Sequence, residues 1–389
     1  MRTDYTYIVL GLGGLGSGAA YWLARRAGRE VLGLEQFELG HGRGASQDHS
    51  RIIRLSYHTP AYVRLAQHAY DAWAVLQAES QTQVVFKTGG LDFAPREGAA
   101  ISLDDYIHSL TEAGVPFDYL DAQEVMRRWP QFKLTDDIHG LYQSESGLAS
   151  PNLGNAAHWR MAREYGATLT DNAPVTALRD VGGEMEVTAG GVTYRCQKLF
   201  ICADAWSNQL LAHFGLRLPL TITQEQVTYF ASPHLADFQP DRFPIWIWMD
   251  DPCYYGFPAF GEPGPKAAQD VGGAEVTPET RTFETDPAAF QRLTDFLAKY
   301  IPTALGPVLY TKACLYTLTP DRDFVIDSLP GHPNMYMALG AAHAYKFASL
   351  IGKIFSELAL DGHTASDLSP FKFTRSLLQM ADPPRNFMT

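Results

Sequence analysis

Six residues near the start of the chain, Gly11-Leu12-Gly13-Gly14-Leu15-Gly16, have the types and spacing to hold a pyrophosphate. In such a run the first glycine permits a tight turn. The second lets backbone approach the anion, and the third lets a helix pack closely on a strand. The helix that opens there presents unpaired N–H groups to negative charge. Glu35 ends the next apolar run and is placed to accept hydrogen bonds from ribose hydroxyls. Its carboxylate would repel a 2′-phosphate, which disfavours NADP. The motif alone leaves FAD and NAD open. The four cysteines, Cys196, Cys202, Cys253 and Cys314, are scattered and lack metal spacing. They read as neither a disulfide framework nor a metal site.

These residues need elements to position them. Tyr5–Leu10 is a short apolar strand, residues 17–27 carry helix formers with Ala20, Leu23 and Ala24 on one side, and Val31–Leu34 is a second strand. Together they predict a βαβ unit. Residues 60–80, 103–113 and 152–166 read as helices, with strands over parts of 84–145 and 168–201. An aromatic, strand-rich region follows from about 218 to 316, in which residues 262–282 read as an exposed hairpin or loop because of their Gly, Pro and Ala content. Met335–Leu339 is a strand, a glycine turn follows, and Phe347, Leu350, Ile351, Ile354, Phe355 and Leu358 mark one face of a last helix. This alternation predicts a nucleotide domain visited more than once, with an antiparallel-sheet domain inserted between visits.

A length of 389 residues suits two such domains. The 46% hydrophobic and 19% charged content is that of a soluble globular protein. A net charge of −12 argues against a nucleic-acid partner, since no basic stretch stands ready to neutralise phosphates. There is no run of 18 apolar residues and no signal-peptide pattern at the N-terminus. The expectation is a cytoplasmic protein with neither a membrane nor a metal among its partners.

Four segments carry a family resemblance. They are Ser50-Arg51-Ile52-Ile53-Arg54, Tyr254-Tyr255-Gly256-Phe257-Pro258 followed by Lys266, Cys314 with Tyr316-Thr317-Leu318-Thr319-Pro320-Asp321 and Phe324-Val325-Ile326-Asp327, and His343-Ala344-Tyr345-Lys346-Phe347-Ala348-Ser349. In this order, and across nearly the whole chain, they resemble the monomeric sarcosine oxidase and N-methyltryptophan oxidase family. The resemblance selects FAD over NAD. It implies an α/β (α+β) fold with a Rossmann-type FAD-binding domain over 1–85, 147–217 and 318–389, and an antiparallel-sheet substrate domain over 86–146 and 218–317.

Each family role falls on a numbered position. Cys314 is implied to bond covalently to the flavin 8α-methyl group. Arg51 is the implied cation near the flavin ring, where reduction places negative charge, and the turn Gly340–His343 adds partial positive charge there. Arg54 and Lys346 match the pair that holds a substrate carboxylate, arginine by bidentate geometry and lysine as a point charge. Lys346 opens a helix, where a cation opposes the dipole and so needs another reason to be present. Lys266 matches the oxygen-activating lysine. Tyr255 and Tyr316 match tyrosines that close over substrate, and His343 stands with the catalytic set. Ser50 and Val175 join Gly11, Gly13, Gly16, Glu35 and Gly340 as expected cofactor contacts.

The pattern departs in places. Relatives carry a histidine four residues after the lysine, where this chain has Asp270. A Gly-Phe-Ser-Gly-His-Gly-type turn has become Gly340-Ala341-Ala342-His343-Ala344-Tyr345, a doubled histidine or glycine has become Ser46-Gln47-Asp48-His49, and an Ala-Ala-Gly-Ala-Trp strand end reads Cys202-Ala203-Asp204-Ala205-Trp206. Trp246 and Trp248 are candidate pocket residues. Lys266, beside Gly264 and Pro265, reads as exposed. The implied activity is oxidation of the secondary amine of an amino acid at a CH–NH bond: hydride transfer to FAD, imine hydrolysis, and reduction of O2 to hydrogen peroxide by a monomer. Alternatives are a dehydrogenase with another acceptor, an oxidase of a larger amine such as N-methyltryptophan, pipecolate or a fructosyl amino acid, and a flavoprotein without turnover.

Overall fold

The computed structural model describes residues 2–387. Strand β1 (Asp4–Leu10) runs into the glycine turn, helix α1 (Gly14–Ala27) leaves it, and strand β2 (Val31–Leu34) returns beside β1 in parallel. On the other side of β1 lies Val192–Ile201, and beyond that His332–Leu339, both parallel. Thr168–Thr170 extends the sheet past β2, and three antiparallel strands bring the total to eight. β2 is buried at every position, as a parallel strand covered on both faces must be. One cover is α1, which packs on the helices Pro151–Glu164 and Ala348–Leu360. The last contact is backbone to backbone: a Cβ on Gly352 would lie 2.3 Å from the Gly18 carbonyl carbon.

The second sheet has nine strands and is mostly antiparallel. Its longest ladder joins Thr221–Phe230 to Val308–Leu318. A small three-stranded sheet holds β3 (Arg51–Ile53), and helix α2 (Pro60–Ser80) follows, with the Thr59 hydroxyl accepting from the Tyr62 N–H at its start. Among the described residues no helix is long and apolar enough to cross a membrane.

The helices expected at 60–80, 103–113 and 152–166 are present as α2, Leu103–Glu112 and Pro151–Glu164. The expected loop at 262–282 is not all loop. It contains a strand, Lys266–Gln269, paired on both sides and buried over its first three residues. Its flanking glycines serve close packing: a Cβ on Gly264 would lie 1.9 Å from the Phe230 carbonyl oxygen, and one on Gly273 1.9 Å from that of Gln224. Lys266 is therefore buried, against expectation. Trp246 and Trp248 also differ. Both lie in strand Ile245–Trp248 and pack on Phe296, away from the cleft that Ile247 lines. The alternation of strand side chains puts residues 246 and 248 on one face and 247 on the other.

Candidate active site

At the β1–α1 turn, Gly11 has φ +82°, and a Cβ there would sit 2.5 Å from the Cys202 carbonyl oxygen. A Cβ on Gly16 would fall 1.8 Å from the Gly11 oxygen, so helix and turn meet as the motif requires. Glu35 accepts from the Leu12 N–H at 2.8 Å and the Phe37 N–H at 3.2 Å, with His41 Nε2 at 3.4 Å. A continuous cleft begins beside Val175 and Glu35, passes Gly13 and Ser46, and reaches Gly340, Arg51, Tyr255 and Tyr316. Among the described residues, buried atoms on its walls that lack a hydrogen-bond partner include Ser50 Oγ and Asp204 Oδ2. A long, glycine-cradled cleft with polar atoms awaiting partners fits an extended dinucleotide such as FAD. Asp204 has φ +45°, a backbone region that favours glycine, and burial pushes its carboxyl up to about 6.

Arg51, Arg54, Arg322 and Lys346 line this cleft, whereas Lys266 and Cys314 are not among its lining residues. Arg51 on β3 donates to the Ser50 and Ala45 carbonyls, each at 2.9 Å, and stands 3.7 Å from Asp48. Lys266 Nζ donates to Asp48 Oδ2 at 3.0 Å and to the Ser50 carbonyl at 2.8 Å, with the Phe257 ring 4.2 Å away. Burial pushes the Lys266 ammonium down to about 8, although Asp48 opposes this. Burial also disfavours the Asp48 anion, but Lys266 and Arg51 outweigh it and hold that carboxyl below its usual range. The Tyr229 and Tyr310 hydroxyls donate to the same carboxylate.

Arg54 donates to Asp92 at 2.6 Å and lies 5.1 Å from the Tyr57 ring, with its Nε unpartnered. Lys346 sits in the short turn Ala344–Phe347 before the last helix, its ammonium 5.5 Å from the same ring. Burial lowers its pKa well below the usual value, and Arg54 and Arg322 add to the effect. Arg322 grips Asp270 through two bonds of 2.8 and 2.9 Å, and also donates to the Phe387 carbonyl at 2.7 Å. Asp48, Asp92 and Arg322 carry no role in the sequence pattern. Asp48 stood in view only as a break in a pattern, and nothing local to Asp92 or Arg322 signals a partner far along the chain.

His343 Nε2 lies 2.8 Å from the Arg322 carbonyl, so this nitrogen donates, and burial keeps the ring neutral. Ala341 and Ala342, beside Gly340, adopt φ of +44° and +69°. The Tyr255 and Tyr316 hydroxyls are 3.2 Å apart. Cys314 is buried two residues before Tyr316, hence on the same strand face. Burial pushes its thiol up to about 11, with Arg51 opposing.

Comparison with known proteins gives concordant results. The model of the family described as FAD dependent oxidoreductase matches residues 6–358. A monomeric sarcosine oxidase of Streptomyces avermitilis is 35% identical over 379 residues, covering 95% of this chain and 97% of that protein. An N-methyl-L-tryptophan oxidase of Escherichia coli is 31% identical, covering 95% and 99%. Among solved structures, NikD, an unusual amino acid oxidase essential for nikkomycin biosynthesis, superposes with a TM-score of 0.86 at 26% identity, covering 98% of this chain and 100% of that one.

Proposed function

Because the chain belongs to the FAD-dependent oxidoreductase family, we propose that it oxidises the secondary amine of an N-methyl or other N-alkyl amino acid. The observation that carries this reading is the convergence of Arg54 and Lys346 on Tyr57 in the cleft that Arg51 also lines, with Arg51 and Lys266 both paired to Asp48. FAD, when bound, accepts the hydride from the carbon next to nitrogen.

The chain's own residues do the rest. Lys346, buried and with Arg54 as a cationic neighbour, is an anion site that a substrate carboxylate completes. Tyr255 and Tyr316 cover the reacting carbon and exclude water. Arg51 and the turn at Gly340 face the negative charge that reduction creates. Lys266 would be the cation that favours reduction of O2 to hydrogen peroxide, and Cys314 would hold the flavin. Asp270, fixed by Arg322, forms a wall of the same cleft and bears on which amine fits. Residues 1–85, 147–217 and 318–389 form the FAD-binding part, residues 86–146 and 218–317 the substrate part. The resemblance supports a monomer, and four scattered cysteines support a reducing, cytoplasmic setting.

Purified protein mixed without oxygen with sarcosine, N-methyltryptophan, L-pipecolate, L-proline or fructosyl amino acids tests this reading. Flavin bleaching by at least one, and peroxide on admission of air, is expected. Silence across the panel from protein with a normal flavin spectrum overturns the substrate class.

A further inference from the structure

We infer that Glu225 takes the proton from Cys314 when the protein attaches its own flavin, an inference that rests on the tether proposed above. In the ladder between Thr221–Phe230 and Val308–Leu318, Glu225 stands directly opposite Cys314. Residues so paired leave the same face of a sheet with Cβ atoms about 4.5–5.5 Å apart. Two positions along, Thr223 stands opposite Tyr316, which lines the cleft, so this face looks toward the cofactor.

Glu225 is 5% exposed, and its carboxylate is aimed by two donors. The Thr223 hydroxyl reaches Oε1 at 2.6 Å and the Gly273 N–H reaches Oε2 at 3.0 Å. Among the described residues no basic side chain forms an ion pair with it. A buried carboxylate without a cation is costly and needs a reason. None of the steps of amine oxidation uses it. It also lines a second cavity, with Gln224, Gln269, Gly273 and Arg292.

The thiol is in need of such an acceptor, because burial makes it hold its proton more tightly than a free cysteine. In the attachment step the thiol proton passes to Glu225 and sulfur bonds to the 8α carbon. One C–H bond of that methyl group breaks, and its electron pair moves into the ring system. Dioxygen then takes those two electrons, together with two protons equal in number to those given up by the thiol and the methyl group, and leaves as hydrogen peroxide. The charges of Arg51 and Lys266 favour the sulfur anion while it forms.

Protein made under riboflavin starvation and then mixed with FAD in air provides the test. Covalent attachment is read as a mass gain of one FAD and as fluorescence surviving denaturing electrophoresis. Reversible binding is read separately by quenching of flavin fluorescence. Native protein should go to completion. Glu225→Gln should bind FAD with unchanged affinity and attach it about 100-fold more slowly, the low end of what a positioned proton acceptor supplies. Glu225→Asp should recover part of the rate. Thr223→Val, which keeps the carboxylate but removes one of its donors, should slow attachment less, and it stands in if Glu225→Gln does not fold. Attachment at the native rate in either Glu225→Gln or, failing that, Thr223→Val overturns the role of Glu225. Native protein that binds FAD and never attaches it overturns the tether itself.

Discussion

Lys266 and Asp48 are paired where almost no water reaches, and under the function proposed above the proton on this lysine governs the reaction with oxygen. Burial places the loss of the Lys266 proton near pH 8, so its cation is present below that value and disappears above it. Oxygen reactivity of the reduced protein should then fall as pH rises through about 8, whereas flavin reduction should rise as the substrate amine loses its own proton. Turnover in air should be bell-shaped, and rapid-mixing measurement of the two half-reactions should separate the limbs. Lys266→Met should lower oxygen reactivity by about 100-fold or more while leaving anaerobic reduction within about threefold, since one preorganised charge is worth that much at a developing anion. Equal loss in both halves would place the lysine on the substrate side. Asp48→Asn leaves a buried ammonium without its counter-charge. The cost should be about 3–5 kcal/mol in denaturant unfolding, and the high-pH limb should move to lower pH. None of this was visible from Gly264 and Pro265, which in sequence signal a loop and in the fold let strand backbones approach.

Helix α1 meets the last helix through glycine on both sides, and this contact fixes where Lys346 stands relative to the pyrophosphate turn. Gly352→Ala forces a Cβ to within 2.3 Å of Gly18 backbone. The helices must separate, and overpacking of this kind costs about 1–3 kcal/mol. Thermal unfolding should show the loss, and FAD affinity should fall with it. Unchanged affinity in a destabilised variant would mean that the crossing serves stability alone. The βαβ unit, the long helices and the final strand were legible because hydrophobic period and glycine spacing are local signals. The glycine motif and residues from all four matched segments, among them Arg51, Tyr255, Tyr316 and His343, line one cleft. What local pattern could not supply was facing. Trp246 and Trp248 look like pocket residues by type, and only the register of their strand with its neighbours turns them toward Phe296. Arg322 and Asp270 lie 52 positions apart, with no periodic signal to join them.

The whole molecule ties its far terminus to the cleft. Arg385 pairs with Glu275, the Asn386 N–H donates to the Pro320 carbonyl, and the Phe387 carbonyl accepts from Arg322. Removing residues 385–389 should leave flavin content unchanged, because no glycine-turn contact is touched. It should raise KM for the amine about tenfold, the size expected for one lost hydrogen bond from a charged group. A loss of flavin instead would show that the segment supports the nucleotide part.

The strand that completes the nucleotide sheet, His332–Leu339, pairs with one that itself pairs with β1, so the first and last segments of the chain meet in one layer. A ribosome takes on the order of tens of seconds to deliver such a chain, and through that interval the N-terminal turn exists without the partners that would let it keep a flavin. Lys346 and the last helix emerge later still. With the flavin tethered as proposed, colour in this protein becomes a certificate of completion. Prematurely terminated chains should be released pale and open to proteases, and only full-length, correctly assembled molecules should carry yellow through denaturation.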